Sequence, residues 1–255
     1  MAYRIFLAGA SGAVGKRLIP LLREAGHQVI GTTRSHEKTA LLRTLGAEPV
    51  VINVFDAAAL ARAVSATRPD IVIHQLTDLP KDLDPSQMAD ALIRNARIRE
   101  EGTRNLVQAA LATHVRRLIA QSISWAYATG HEPHVESDPL DTGAQGDRGI
   151  TMRGVLSLES QVLHSPPLEG IVLRYGQLYG PATYSATPSK TSPVHVDAAA
   201  YAAFLAIDHG QPGAFNIAQP NSHVATDKAR VELDWSPDFR LPEEDSAIDR
   251  AHVAR

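Results

Sequence analysis

Cysteine is missing from all 255 residues of this chain. Its absence excludes disulfides, thiol catalysis and thiolate metal sites, and it fits a cytoplasmic protein. No block of lysine and arginine stands out, and the formal net charge is −3. Nucleic-acid binding therefore has no electrostatic support. No apolar run approaches the length of a membrane span. The chain enters a predicted strand at Arg4, so no signal peptide is expected. No Gly-x-Ser-x-Gly elbow marks a hydrolase, and no internal repeat or clean interdomain linker is visible. The apolar fraction of 44% is enough for a substantial core. The length predicts one domain over residues 1–255.

What is there is concentrated at the start, in Arg4-Ile-Phe-Leu-Ala-Gly-Ala-Ser-Gly-Ala-Val-Gly15. The apolar run predicts a buried strand. Leu18, Leu21, Leu22 and Ala25 then recur on one face of a helix. Strand, glycine turn and helix form a unit that holds a pyrophosphate. Gly9 allows the tight turn, Gly12 the approach of the phosphates, and Gly15 the packing of helix on strand. Ser11, Ala13 and Val14 sit in or just past the turn, where a helix N-terminus offers free N–H groups and partial positive charge.

Strand patterns follow at Gln28–Thr33, Glu48–Ile52, Asp70–His74 and Leu118–Ser122. Helical patterns alternate with them over Ala13–Ala25, His36–Leu45, Asp56–Thr67 and about Gln87–Thr113. Apolar strands alternating with amphipathic helices predict an α/β fold, a Rossmann-type doubly wound parallel sheet. Residues 130–149 read as a loop. Val155, Leu158 and Val162 mark a helix, Ile171–Tyr175 a strand, Gly180–Pro193 an irregular stretch, and Asp197–Asp208 an alanine-rich helix. Ala214–Ile217 and Thr226–Leu233 complete the pattern, before a charged tail after Pro242 that is expected to fray. A small C-terminal substrate-side subdomain is expected, woven mainly from 123–150, 177–196 and 218–255.

The second strand ends Gly31-Thr-Thr-Arg-Ser35. An acidic residue there bonds the ribose 2′-hydroxyl of NAD. Here no acid is present, and Arg34 with the hydroxyls of Thr33 and Ser35 suits a 2′-phosphate. The reading favours NADP(H) over NAD(H). The plainer alternative for Arg34 is a solvated loop arginine. Asn53 and Val54 end the third strand, where they would meet adenine. Gln75, Leu76 and Thr77 end the fourth, where their backbone would line the ribose.

In order and at sensible spacing, several segments resemble one family. They are Gly9-Ala-Ser-Gly-Ala-Val-Gly15, Val72-Ile-His74, Gly102-Thr-Arg-Asn-Leu106 with Ala109-Ala110, and Leu173-Arg-Tyr-Gly176 with Tyr179-Gly-Pro181. Val194-His-Val-Asp197 and Lys228-Ala-Arg…Glu232-Leu-Asp-Trp-Ser-Pro237 complete the set. The chain thus resembles the extended or atypical NAD(P)-dependent epimerase/dehydratase branch of the short-chain dehydrogenase/reductase superfamily. The resemblance implies that Gln121, Tyr175, Gly176 and Leu178 belong to the cofactor site, the last three around the nicotinamide. It also implies a homodimer through the long fourth helix and the helix after the fifth strand.

The branch usually carries Tyr-x-x-x-Lys, with a glutamate four residues after the lysine. If Glu159 is that glutamate, Thr151 stands for the tyrosine and Val155 for the lysine. No tyrosine lies between Tyr127 and Tyr175, so no other register restores the pair. The family's serine falls on Ile123, with Ser122 and Ser124 beside it, and Arg99 stands where an asparagine is frequent. Side-chain alternation places Ser122 and Ser124 on one face and Ile123 on the other. Ser122, as a carbonyl or ribose ligand, and Tyr127, as a substrate ligand or replacement acid, are the candidate catalytic residues. The blander readings are a serine satisfied by backbone and a ring packed in the wall. His195 and Asp197 read as loop bracing and capping. His131-Glu-Pro-His134 with Glu136 lacks the helical metal pattern, and no metal is expected.

The expected function is an NADP-binding, epimerase/dehydratase-like oxidoreductase with a non-standard site, acting on a small polar substrate such as a sugar derivative. The alternative is a non-catalytic NADP(H)-binding sensor, which would require unequal affinity for the two redox forms.

Overall fold

The computed structural model describes residues 1–80 and 83–242. The charged tail after Pro242 lies outside the described residues. Seven parallel strands form one sheet: β1 (Arg4–Ala8), β2 (Gln28–Thr33), β3 (Glu48–Val51), β4 (Ile71–His74), β5 (Arg117–Ile123), β6 (Glu169–Tyr175) and, last in space, β9 (Gly213–Ile217). Their order is β3-β2-β1-β4-β5-β6-β9. Every pairing is parallel. The order in which strands are added reverses between β1 and β4, the crevice where doubly wound sheets bind nucleotides.

Both faces of the central strands are buried, which explains their unbroken apolar character. Ile5, Leu7, Ile71, Ile73, Ile119, Ile171 and Leu173 face one core, and Phe6, Ala8, Val72, Leu118, Ala120 and Val172 face the other. The first core is covered by α1 (Ala13–Glu24) and α7 (Val196–Leu205). The alanines of α7 let it lie close to α1. The second core is covered by α3 (Ala57–Thr67), α5 (Thr103–Ala112) and α6 (Gly146–Leu163).

Three features differ from the sequence pattern. The long fourth helix is split into α4 (Met88–Arg97) and α5 by a wide π-turn at Ile98–Gly102. Periodicity cannot reveal such a turn, because it adds one residue without leaving the helix. The helix α6 begins inside the stretch read as loop, at Gly146. The short strands β7 (Gln177–Tyr179) and β8 (Pro193–His195) pair in parallel at the ends of the irregular stretch. The segment Thr39–Thr44 (α2) and Asp227–Glu232 (α8) are short surface helices. No described helix is long and apolar enough to cross a membrane.

Candidate active site

At the carboxyl ends of β1, β2 and β4 lies a cleft of about 380 Å³. The turn after β1 forms its floor. Gly9 has φ of +89°, and a Cβ there would lie 2.6 Å from the Gln75 carbonyl. At Gly15 a Cβ would stand 2.4 Å from the Gly9 oxygen. Gly12 is less confined, its nearest neighbour being that same oxygen at 3.3 Å. Gly12 itself lines the cleft. Gly12 caps α1 with no side-chain bond, and no acid stands in the first turn. The N–H groups of the first turn thus lack side-chain competition. Gly9, Ser11 and Gly12 line the cleft, whereas Ala13 and Gly15 stand behind them and Val14 is buried in the core.

Thr33, Arg34 and Ser35 line the mouth, joined by Lys38, which the sequence reading passed over. Two cations therefore stand at the end of β2. Arg34 forks onto Asp78 at 3.2 and 3.3 Å, and Arg94 approaches the same carboxylate at 3.5 Å. Val54 lines the apolar wall with Ile52, Phe55, Leu60, Ile98 and Leu106. Asn53 does not reach this wall; its side-chain oxygen accepts from the Phe55 N–H at 3.1 Å and shapes its own turn.

Gln75, Leu76 and Thr77 line the side facing β4. The Gln75 amide donates to the Tyr175 hydroxyl at 3.3 Å, and its buried oxygen has no partner among the described residues. Such an orphaned acceptor calls for a ligand donor. Glycine cradle, open first turn, paired cations and orphaned acceptor together fit a dinucleotide. Tyr175 is buried, which pushes its phenol's pKa up. Gln121 donates to the Leu76 carbonyl at 3.4 Å. The Gly176 backbone is pinned to Ile217, and a Cβ there would strike the Ser192 carbonyl at 2.2 Å. Leu178 packs beside Tyr175 against the first core.

Ser122 and Tyr127 stand apart from the cleft lining. The Ser122 hydroxyl donates to Glu159 at 2.7 Å. Glu159 is gripped by Arg174 in a fork of 2.7 and 3.1 Å. Arg174 also donates to the Tyr127 oxygen at 2.8 Å, and Tyr127 donates to Asn216 at 2.6 Å. All five side chains are buried. Burial pushes the Tyr127 phenol's pKa up, against the pull of Arg174. His134 stacks on the Tyr127 ring at 4.8 Å and bonds Asp138, while Glu136 accepts from the Asn216 N–H. Ser124 does not share the face of Ser122. The strand ends at Ile123, alternation stops, and Ser124 pairs with Ser192 at 3.1 Å.

Ile123 packs with Ala126, Met152 and Val155 in a small apolar cluster. The positions expected for the serine and lysine thus fall in one cluster, and both are aliphatic. His74 is fully buried between Leu76 and Thr103; the Leu76 N–H donates to Nδ1, which leaves the proton on Nε2 towards the threonine. Burial, aided by the nearby Arg99 charge, lowers its pKa to about 4.

Residues 5–211 match the model of the NAD dependent epimerase/dehydratase family. A 3-diazoavenalumate denitrifying reductase from a Streptomyces species is 36% identical, over 92% of this chain and 80% of its own. A dTDP-4-dehydrorhamnose reductase of Streptomyces griseus is 30% identical over 69% of this chain and 50% of its own. Among solved structures, a UDP-glucose 4-epimerase of Thermotoga maritima superposes with a TM-score of 0.76 at 19% identity, covering 98% of both chains. The WbmG enzyme of Bordetella bronchiseptica in complex with NAD gives 0.69 at 19%, over 98% of this chain and 94% of its own. With its parallel seven-stranded sheet and glycine turn, the chain belongs to the NAD-dependent epimerase/dehydratase family of oxidoreductases.

Proposed function

We propose that this chain is an NADPH-dependent reductase for a small polar substrate that needs no phenolic proton donor. The observation that carries the reading is the apolar cluster shared by Val155 and Ile123, the positions of the family's lysine and serine, in a chain whose nucleotide cleft is kept. Thr33, Arg34, Ser35 and Lys38 would hold a 2′-phosphate. The Gly9–Gly12 turn and the α1 N-terminus would hold the pyrophosphate, with Ser11, Val54 and Gln75–Thr77 along the adenosine and ribose. The cofactor, when bound, supplies a hydride.

Ketone reduction needs a proton for the developing alkoxide. A substrate that is electrophilic before it binds does not. In a diazonium, carbon accepts hydride as the C–N bond breaks and its electron pair leaves with dinitrogen (R–N2+ + H− → R–H + N2). The name of the Streptomyces relative, a denitrifying reductase of a diazo compound, supports this class. Ser122 and Tyr127 then act as braces: with Glu159, Arg174 and Asn216 they fix the ends of β5, β6 and β9.

Titration with NADPH, NADP, NADH and NAD tests the cofactor. The phosphorylated pair is expected to bind at least tenfold tighter, and equal affinities would overturn the preference. NADPH oxidation with an aryldiazonium, set against a panel of ketones and keto-sugars, tests the chemistry. Turnover of ketones at comparable rates would overturn it.

A further inference from the structure

Four described arginines have nine-tenths of their surface buried: Arg17, Arg99, Arg117 and Arg174. Three are fully occupied. Arg17 pairs with Asp197. Arg117 bonds Glu169 and the carbonyls of Ala206 and His209. Arg174 grips Glu159, Tyr127 and the Glu136 carbonyl. Arg99 is the exception. It is 8% exposed and makes no hydrogen bond, and no ion pair within 4 Å, among the described residues.

A guanidinium has five N–H donors and cannot shed its charge near neutral pH. Burying it unpaired is among the most costly arrangements in a protein. The charge of Glu159 reaches it, but that carboxylate is already committed to Arg174 and Ser122. Burial draws the Arg99 pKa down only to about 10, so the side chain stays a cation.

Its placement is specific. Arg99 lies in the π-turn Ile98–Gly102, a distortion often kept where an element serves a ligand. Its neighbour Ile98 lines the nucleotide cleft, while Arg99 itself lies against α6. A Cβ at Gly154 would stand 3.3 Å from the Arg99 Cβ. It would stand closer still, 2.9 Å, to the Ala96 Cα, so Gly154 lets α6 close onto α4 and the base of the Arg99 side chain, one residue before Val155, the position that would hold the lysine.

We propose that Arg99 is the substrate's anion receptor, an unpaired guanidinium that binds a carboxylate of the molecule to be reduced. The inference rests on the reductase reading above. Nothing in the nucleotide needs this residue: the cradle for its phosphates lies at Gly9–Gly12 and Arg34, and Arg99 is not part of that lining. The planar fork fits the two oxygens of a carboxylate.

The test uses the full chain saturated with NADP, with benzoate as probe. Benzamide serves as its neutral isostere and inorganic phosphate as a second anion. Benzoate is expected to bind wild type and raise its Tm, benzamide to do neither, and Arg99→Met to weaken benzoate at least tenfold. The Arg99→Met chain should bind NADPH as wild type does. It should also melt higher without ligand, because an uncompensated buried charge has gone. Benzamide binding as well as benzoate, or unchanged benzoate affinity in Arg99→Met, would overturn the proposal. So would a lower Tm for that variant, which would mark a structural arginine. Phosphate binding in preference to benzoate would overturn the carboxylate assignment. Failure of wild type to bind NADP(H) would instead sink the reductase reading, so the two failures are distinguishable.

Discussion

Tyr127 donates its phenolic proton to Asn216 across 2.6 Å and accepts from Arg174 across 2.8 Å. Both valences of the hydroxyl are used inside the protein. A phenol so engaged braces two strands. Tyr127→Phe and Ser122→Ala are each expected to lower stability by about 1–3 kcal/mol, by leaving a buried partner unpaired. The affinity for NADPH should stay within about twofold. Denaturant unfolding and fluorescence titration measure the two quantities. A hundredfold loss of turnover at unchanged stability would return a chemical role to either hydroxyl.

Arg34 and Asp78 form a fork at the mouth of the cleft that a 2′-phosphate would have to displace. Arg34→Ala should weaken NADPH by about tenfold or more and leave NADH almost unchanged. Asp78→Asn should tighten NADPH, because the guanidinium no longer has a resident anionic partner. Equal losses for both nucleotides in the arginine variant would show that it does not read the phosphate.

Two of the loop glycines, Gly15 and Gly12, should separate on substitution. Gly15→Ala drives a Cβ into the Gly9 and Ala10 carbonyls and should lower Tm sharply. Gly12→Ala meets only one oxygen, at 3.3 Å, so the chain should fold while nucleotide affinity collapses. Thermal melts with and without NADPH distinguish the two. A Gly12→Ala chain that binds normally would remove this loop from the phosphate site.

His74 carries a pH prediction. Its folded pKa is about 4, below the ordinary 6.5, because burial disfavours the cation. The unfolded chain therefore binds the extra proton first, and stability must fall as pH drops from 6.5 towards 4. The contribution is about 3 kcal/mol, from the size of that shift. His74→Gln should flatten the pH dependence of the denaturation midpoint between pH 6.5 and 4. An unchanged slope would assign acid sensitivity to other groups.

The sheet, its helices and the glycine turn were legible because burial on both faces demands apolar strands, and β1 shows this residue by residue. The place of Arg34 at the mouth of the cleft was legible too, since it directly follows the end of β2. Its partner Asp78 was not, because the two are joined only by the fold. The roles of Ser122 and Tyr127 turned on partners 37 and 89 residues away, Glu159 and Asn216, which no local pattern reports. Arg99 could be flagged as an unusual residue at a family position. That its guanidinium is left unmatched is a property of packing alone.

The aliphatic cluster that Ile123 and Val155 share also bears on direction. By microscopic reversibility, the group that protonates an alkoxide is the one that deprotonates the alcohol on the way back. An alcohol entering this site meets aliphatic groups where the family's serine and lysine would stand, and Thr151 in place of the tyrosine whose phenolate would take its proton. On the reading proposed here, the turnover cycle is a ratchet, with departure of the leaving group as its pawl. Excess product and oxidised nucleotide would not drive it backwards.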